Sequence, residues 1–378
     1  MNKIKNKILI VFGTRPEAIK MCPLILKLKN IALFDYKICI SGQHKDMVYP
    51  IIDFFEVKPD YDLGVMKEAQ TLEELTSSIL LKVSDVLTKE NPDIVLVHGD
   101  TTTALAAAMA AFYKKIPVGH VEAGLRTGNL DSPFPEEFNR VFIDRISTIH
   151  FAPTIQNAKM LGSEGFDQSI SITGNTVIDS LMYTVKDDYI FSDKALNEID
   201  FDIRRCILLT IHRRENIGEP MSEICKAVRY IADENPDIVI ICPVHPNPEV
   251  KKIVEENLHG KSNILLLKPL NILDMHNLIY RCYFVMTDSG GLQEEAPHFG
   301  KPVLVLRNET ERPEAVEAGT VRVIGTNYQK VKKETEVLLN DKSEYSKMAN
   351  AVNPYGDGTA SEKIVNILIA YFSNIHTS

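Results

Sequence analysis

The chain has 378 residues, enough for two domains with separate cores, and its 44% hydrophobic and 25% charged content is that of an ordinary globular protein. A net charge of −9 argues against a nucleic-acid surface, and no apolar run approaches the length of a membrane span. The six cysteines (22, 39, 206, 225, 242, 282) are scattered, without a CxxC pair and mostly inside apolar runs, so they read as reduced core residues of a cytoplasmic protein; no zinc site is expected. The lysines near the N-terminus precede an apolar segment too short for a signal peptide.

The first predicted strand, Ile8–Phe12, is a continuous apolar run that breaks at Gly13 and turns directly into a helix, with Pro16 in its first turn. Arg15 places a cation beside the positive end of the helix dipole, which is favourable only if an anion also sits there; otherwise it swings into solvent. Apolar runs then alternate with helical patterns: Tyr36–Ser41, Ile94–His98, Val118–Glu122 and Ser169–Thr173, followed by Cys206–Ile211, Ile238–Cys242, Ile264–Leu267, Phe284–Thr287 and Val303–Leu306. This alternation predicts an α/β protein with parallel sheets, and the number of strands predicts two Rossmann-like domains facing one cleft. The pattern weakens between Asn175 and Arg205, so the domains are expected at 1–174 and 175–359, with a last helix over 360–373 packing back on the first.

In open α/β sheets ligands bind beyond the carboxyl ends of the strands, and here those positions are rich in ionisable groups: Arg15, Glu17 and Lys20; Gln43-His44; His98-Gly99-Asp100; Glu122 through Arg126; His212-Arg213-Arg214-Glu215; Asp288-Ser289-Gly290-Gly291. Asp100 precedes a strong helix start and reads equally well as an N-cap. Glu136 and Glu137 follow Pro135, where carboxylates complement a helix dipole, and on local chemistry alone the structural reading is preferred. Lys20 is either a surface charge or a ligand cation. Glu122 ends a strand, caps nothing obvious and is followed by Ala-Gly, which favours a functional role. His212 alone reads as a core histidine as readily as a catalyst, but the adjacent Arg213-Arg214 pair suits an anion. Thr287 through Glu295 is a second strand–loop–helix turn whose N–H groups could hold a pyrophosphate, and Arg312 before Pro313 repeats the anomaly of Arg15. Carboxylates on one side and cations on the other suit a nucleotide-sugar diphosphate.

Six segments, Gly13-Thr-Arg-Pro-Glu-Ala-Ile-Lys20, His98-Gly-Asp-Thr-Thr102, His120-Val-Glu-Ala-Gly-Leu-Arg126, Pro135-Glu-Glu-Phe-Asn-Arg140, His212-Arg-Arg-Glu215 and Thr287-Asp-Ser-Gly-Gly-Leu-Gln-Glu-Glu295, resemble in this order the bacterial non-hydrolysing UDP-N-acetylglucosamine 2-epimerases. The resemblance covers essentially the whole chain. It implies two Rossmann-like domains in the GT-B arrangement, a homodimer, and reversible conversion of UDP-GlcNAc to UDP-ManNAc for cell-surface polysaccharides, by elimination of UDP to a 2-acetamidoglucal and re-addition. It also implies that Arg15, His212, Ser289, Gly290 and Glu295 contact the nucleotide diphosphate, that Lys20 and Arg312 contact the sugar or phosphate side, and that proton transfer lies among Asp100, Glu122 and Glu136. The candidate catalytic set is then Asp100, Glu122, Glu136 and His212; the candidate substrate-binding set is Arg15, Lys20, Gln43, Arg213, Ser289, Gly290, Gly291, Glu295 and Arg312. No cofactor or metal is expected, since there is no GxGxxG turn and no ligand cluster. Family members activated by their own substrate carry a Gln-His-Arg-Gln segment and an Arg before Gln-Thr-Leu; Asp46 and Ala69 stand here instead, which predicts weakened or absent activation. The competing readings are a hydrolysing relative, an epimerase of a modified UDP-sugar, a GT-B glycosyltransferase and a sugar-nucleotide sensor.

Overall fold

The computed structural model describes residues 5–43, 45–67, 69–166 and 169–375, and within it the chain forms two compact units. The first comprises the chain up to Ser180 together with the segment from Tyr355 onward; the second is Leu181–Pro354. The first unit is built on strands β1 (Asn6–Phe12), β2 (Phe34–Ile40), β3 (Tyr61–Asp62), β4 (Ile94–His98), β5 (Val118–Val121), β6 (Ile149–Ala152) and β7 (Ile170–Ile172). They form one sheet in the order β3-β2-β1-β4-β5-β6-β7, parallel throughout. The second unit holds β8 (Arg205–Thr210), β9 (Ile238–Pro243), β10 (Ile264–Leu267), β11 (Phe284–Thr287), β12 (Val303–Val305) and β13 (Val321–Val323), in the parallel order β10-β9-β8-β11-β12-β13. Both orders are the doubly wound Rossmann pattern, so the two-domain α/β fold read from the sequence is the one observed.

The strands are apolar because both faces are covered: Ile8 to Phe12 and Ile94 to Val97 are entirely buried. On one side of the first sheet lies the helix Thr102–Tyr113, whose small residues, Ala104, Ala106 to Ala108, Ala110 and Ala111, are buried and let it pack closely among its neighbours. β3, β6 and β13 carried no expectation. Pairing supplies them: β3 is two residues added beside β2, and β6 is a buried Ile-His-Phe-Ala run in which His150 bonds Ser169 Oγ (2.9 Å) and Asp144 O (2.8 Å).

The first junction lies six residues beyond the expected 174/175 boundary because the intervening residues bind the returning chain: Asn175 N donates to Tyr355 O (2.7 Å), and Asp179 accepts from the N–H groups of Ala360 (3.1 Å) and Ser361 (2.7 Å). The same bonds move the second junction back to 354/355. That carboxylate satisfies the N-terminal donors of the helix Ala360–Ile375, which packs on the helix Arg15–Lys29. The polar segment 186–193 instead joins the second unit, through Lys186 N to Asn277 Oδ1 and Ser192 N to Asp274 Oδ1.

Strand order reverses between β1 and β4 in one sheet and between β8 and β11 in the other. Each switch point opens at the carboxyl ends of its own strands, where Arg15 to Lys20 and His98 to Asp100 fall in the first unit and His212 to Glu215 and Asp288 to Gly291 in the second.

Candidate active site

After β1 the chain enters its helix by a turn that Glu17 closes. Glu17 Oε2 accepts from the N–H groups of Gly13 (3.0 Å) and Thr14 (2.8 Å), and Oε1 accepts from Thr101 Oγ1 (2.8 Å). Burial outweighs those donors and pushes the Glu17 carboxyl up to about 7. Arg15 and Pro16 stand outside the turn, exposed. Gly13 is required by close approach: a Cβ there would meet Ser41 Oγ at 1.9 Å and Thr103 Oγ1 at 2.6 Å, two hydroxyls that are bonded to each other (2.9 Å). Gly13→Ala is therefore expected to destabilise the first unit by about 1–3 kcal/mol, read as a lower thermal midpoint. Thr103 Oγ1 also donates to Gln43 Oε1 (2.9 Å), which brings Gln43 to the same crevice. His44 and the side chains of Lys45 and Asp46 lie outside the described residues.

The carboxylates gather beside this turn. Glu122 follows β5 with φ of 68°, a left-handed conformation that a side chain adopts only where its surroundings hold it. Its carboxylate pairs with Lys20, accepts from Asn175 Nδ2 (3.0 Å), and lies 3.7 Å from His98 Nε2. Asp100 lies beyond β4, with Arg140 Nη2 at 3.2 Å from its carboxylate and Asn139 Nδ2 donating to its carbonyl (2.8 Å). Burial raises the Asp100 carboxyl above its ordinary value against the pull of Arg140, and the charges of Glu122 and Glu136 push the same way. Glu136 and Glu137, adjacent at the start of the helix Glu136–Ile146, part company. Glu137 is buried and accepts from Thr127 N and Gly128 N (both 2.9 Å), whereas Glu136 faces a cavity of about 380 Å³. That cavity is also lined by Lys20, Gln43, His98, Asp100 and Glu122.

Behind them His120 is spanned by Asp144 Oδ1 (2.5 Å) and Gly99 O (2.7 Å), and Asp144 also pairs with Arg126 (2.8 Å). Burial alone would raise the Asp144 carboxyl; His120 and Arg126 reverse this and hold it below the usual range. The network fixes the loops that carry Asp100 and Glu122. From the sequence His98 and Arg126 stand only among the ionisable groups at the strand ends, without a role, and His120, Asp144 and Asn175 are given none.

In the second unit the organising group is Asp288, fully buried after β11. Its carboxylate accepts from the N–H groups of His212 and Arg213 (both 2.9 Å) and from Asn216 Nδ2 (3.1 Å), and lies 3.2 Å from His212 Nδ1. Burial would raise this carboxyl, but His212 and the backbone donors prevail and hold it below the ordinary range. The turn so fixed aims Arg213 at the start of the helix Gly290–Glu295, which Ser289 precedes without a side-chain cap bond: a Cβ on Gly290 would lie 3.7 Å from Arg213 Nη2 and 4.0 Å from Arg312 Nη2. Arg312 is steered there by an ion pair with the buried Glu294. A Cβ on Gly291 would lie 3.4 Å from Glu295 Oε1, and Glu295 lies 3.7 Å from the buried His276 Nε2. The second unit thus offers two guanidinium groups, an imidazole and helix N–H groups in one place, an arrangement that suits a diphosphate.

A family model described as UDP-N-acetylglucosamine 2-epimerase matches residues 26–369. The chain belongs to the UDP-N-acetylglucosamine 2-epimerase family. The UDP-N-acetylglucosamine 2-epimerase of Campylobacter jejuni is 51% identical over 373 residues, covering 96% of this chain and 97% of that one. The enzyme of that name from Bacillus subtilis strain 168 is 50% identical, covering 97% and 96%. The crystal structure of UDP-GlcNAc 2-epimerase from Neisseria meningitidis bound to UDP-GlcNAc matches with a TM-score of 0.88 at 46% identity, covering 96% of this chain and all of that one. As a UDP-N-acetylglucosamine 2-epimerase family member the protein is an isomerase, and four of the six segments that carry the resemblance, those after β1, β4, β8 and β11, fall at its two switch points.

Proposed function

We propose that this protein interconverts UDP-GlcNAc and UDP-ManNAc without hydrolysis, by elimination of UDP and re-addition. The observation that carries the reading is the cavity at the ends of β1, β4 and β5, where Asp100, Glu122 and Glu136 stand with Lys20 as the one lysine among the described residues of the lining. A sugar-binding site needs no such excess of carboxylates; one that moves a proton to and from either face of a carbon does.

The C2 hydrogen of the sugar is not activated by a ring carbonyl, so it leaves only as the bond from C1 to the UDP oxygen breaks. In the forward half a carboxylate takes the C2 proton, a C1=C2 double bond forms, and UDP departs with the electron pair of the C1–O bond. In the return half a proton reaches C2 from the opposite face and a UDP oxygen re-forms the bond to C1. On this reading Asp100 and Glu122 serve the two faces, and Glu136 adds a like charge that tunes them. Lys20 supplies a cation on the sugar side. His212, Arg213 and Arg312, with Arg15 and the N–H groups following Ser289, hold the diphosphate and stabilise the charge it gains on leaving. Glu295 accepts from the ribose hydroxyls. The reading extends to a cytoplasmic homodimer that supplies ManNAc units for surface polysaccharide; among the described residues no helix is long and apolar enough to cross a membrane, and all six cysteines are free and buried.

Incubation with UDP-GlcNAc in deuterated water, followed by proton NMR, tests the reading. UDP-ManNAc is expected, with deuterium at C2 in both epimers. Free N-acetylmannosamine and UDP in its place would show a hydrolase, and binding without exchange would show a sensor or an enzyme for another sugar.

A further inference from the structure

His98 lines the cavity, and the reaction just described gives it no task. It ends β4 directly beside Val121 of β5, so its ring lies against the first residue after that strand, Glu122. Its side chain is 3% exposed, and its Nε2 has no hydrogen-bond partner among the described residues, a deficit that a buried nitrogen carries only at a cost in free energy. His120, the neighbouring buried histidine, contrasts with it: both its nitrogens are engaged, by Asp144 and Gly99, which is the pattern of a structural residue.

We propose that His98 is a positioning residue for Glu122, its Nε2–H closing on the carboxylate when Lys20 turns to the substrate. The inference rests on the reading of Glu122 as a proton-transfer group. At 3.7 Å the contact is just outside hydrogen-bond range, and Glu122 Oε2 is held meanwhile by Lys20 and Asn175. An ion-paired carboxylate is a weak base, so Glu122 must be released from the ammonium to act. A lone pair on Nε2 would repel the carboxylate, so the hydrogen sits on Nε2. Burial, with Lys20 and His120 assisting against the opposing pull of Glu122, holds His98 down to about 3. The ring therefore stays neutral, orients the carboxylate, and does not compete for the proton taken from C2. The titratable groups facing Glu122 are Lys20 of the first helix, His98 and Asp100 at the end of β4, and, behind Gly99, His120 of β5.

The test is a double-mutant cycle on the full chain, read as kcat, KM and the pH profile of UDP-GlcNAc turnover. Asn is too short to present a donor where Nε2 stands, and Gln can reach it. His98→Asn is expected to lower kcat by about 10-fold with KM changed by less than about 2-fold, the loss of one charge-assisted hydrogen bond. The acidic limb of its kcat profile is expected to move up by about one pH unit, because losing a donor raises the carboxyl of Glu122. His98→Gln is expected to restore both. In a Glu122→Gln background His98→Asn is expected to have an effect below about 2-fold, since the group it serves is already gone. Independent losses in the cycle, an unmoved limb, or a Gln variant no better than Asn would overturn the proposal alone. Near-normal turnover by Glu122→Gln itself would overturn the reading beneath it, and the proposal with it. Unchanged UDP affinity of each variant by calorimetry identifies a folded protein.

Discussion

Replacing Glu122 by Gln is expected to lower turnover by about 10²–10⁴-fold while leaving UDP affinity within a few-fold of the parent. The substitution is isosteric, keeps an oxygen for Asn175, and leaves the φ of 68° no more strained than before. It removes the proposed base and also a partner of Lys20, which then stands in the cavity with its charge uncompensated by that carboxylate. The discriminating measurement is C2 deuterium exchange in both directions, from UDP-GlcNAc and from UDP-ManNAc. Loss of a base that serves one face alone abolishes exchange from the epimer it serves and epimerisation from both. Asp100→Asn, measured alongside, is expected to give the complementary pattern. Near-parental exchange by either variant would remove that residue from the proton-transfer pair.

The second large effect is structural. Asp288→Ala is expected to destabilise the second unit by about 3–5 kcal/mol, because the donors of His212, Arg213 and Asn216 lose a fully buried common acceptor. The turn that aims Arg213 at Gly290 loosens with it, so UDP affinity is expected to fall by at least about 10-fold. Chemical denaturation and calorimetry read the two effects separately. The acid limb follows from the sign of the shift. The folded-state carboxyl lies below its ordinary 3.8, so its contribution is fully present above that value and is lost as pH falls through the lower, folded-state value. Asp288→Asn is expected to be less stable at neutral pH and to lose less on acidification. An unchanged acid limb would show that the bonds to Asp288 carry little of the unit's stability.

Much of this was legible in the chain because the governing interactions are local. The run Ile8–Phe12 ending at Gly13 announces a buried strand and a tight turn, and Glu122 before Ala-Gly announces a carboxylate with no capping duty. Both signals need only their immediate neighbours. What was not legible depends on residues far apart in sequence. His150 is tolerated in β6 only through Ser169 and Asp144. Glu136 and Glu137 are indistinguishable as neighbours, and only the loop at Thr127–Gly128 decides which of them turns inward. Asp288 reads as one polar residue in a glycine-rich turn until the His212–Arg213 segment, some 75 positions away, is laid against it.

The bonds that tie Asn175 to Tyr355 and Asp179 to Ala360 and Ser361 make the second unit an insertion within the first. During synthesis the inserted unit leaves the ribosome whole, while its host still lacks the helix Ala360–Ile375. Topology thereby lets the inner body mature first, while the outer one closes only once the helix Ala360–Ile375 is available to it. A chain stopped near residue 354 would carry a complete second unit and a first unit with an open flank along the helix Arg15–Lys29.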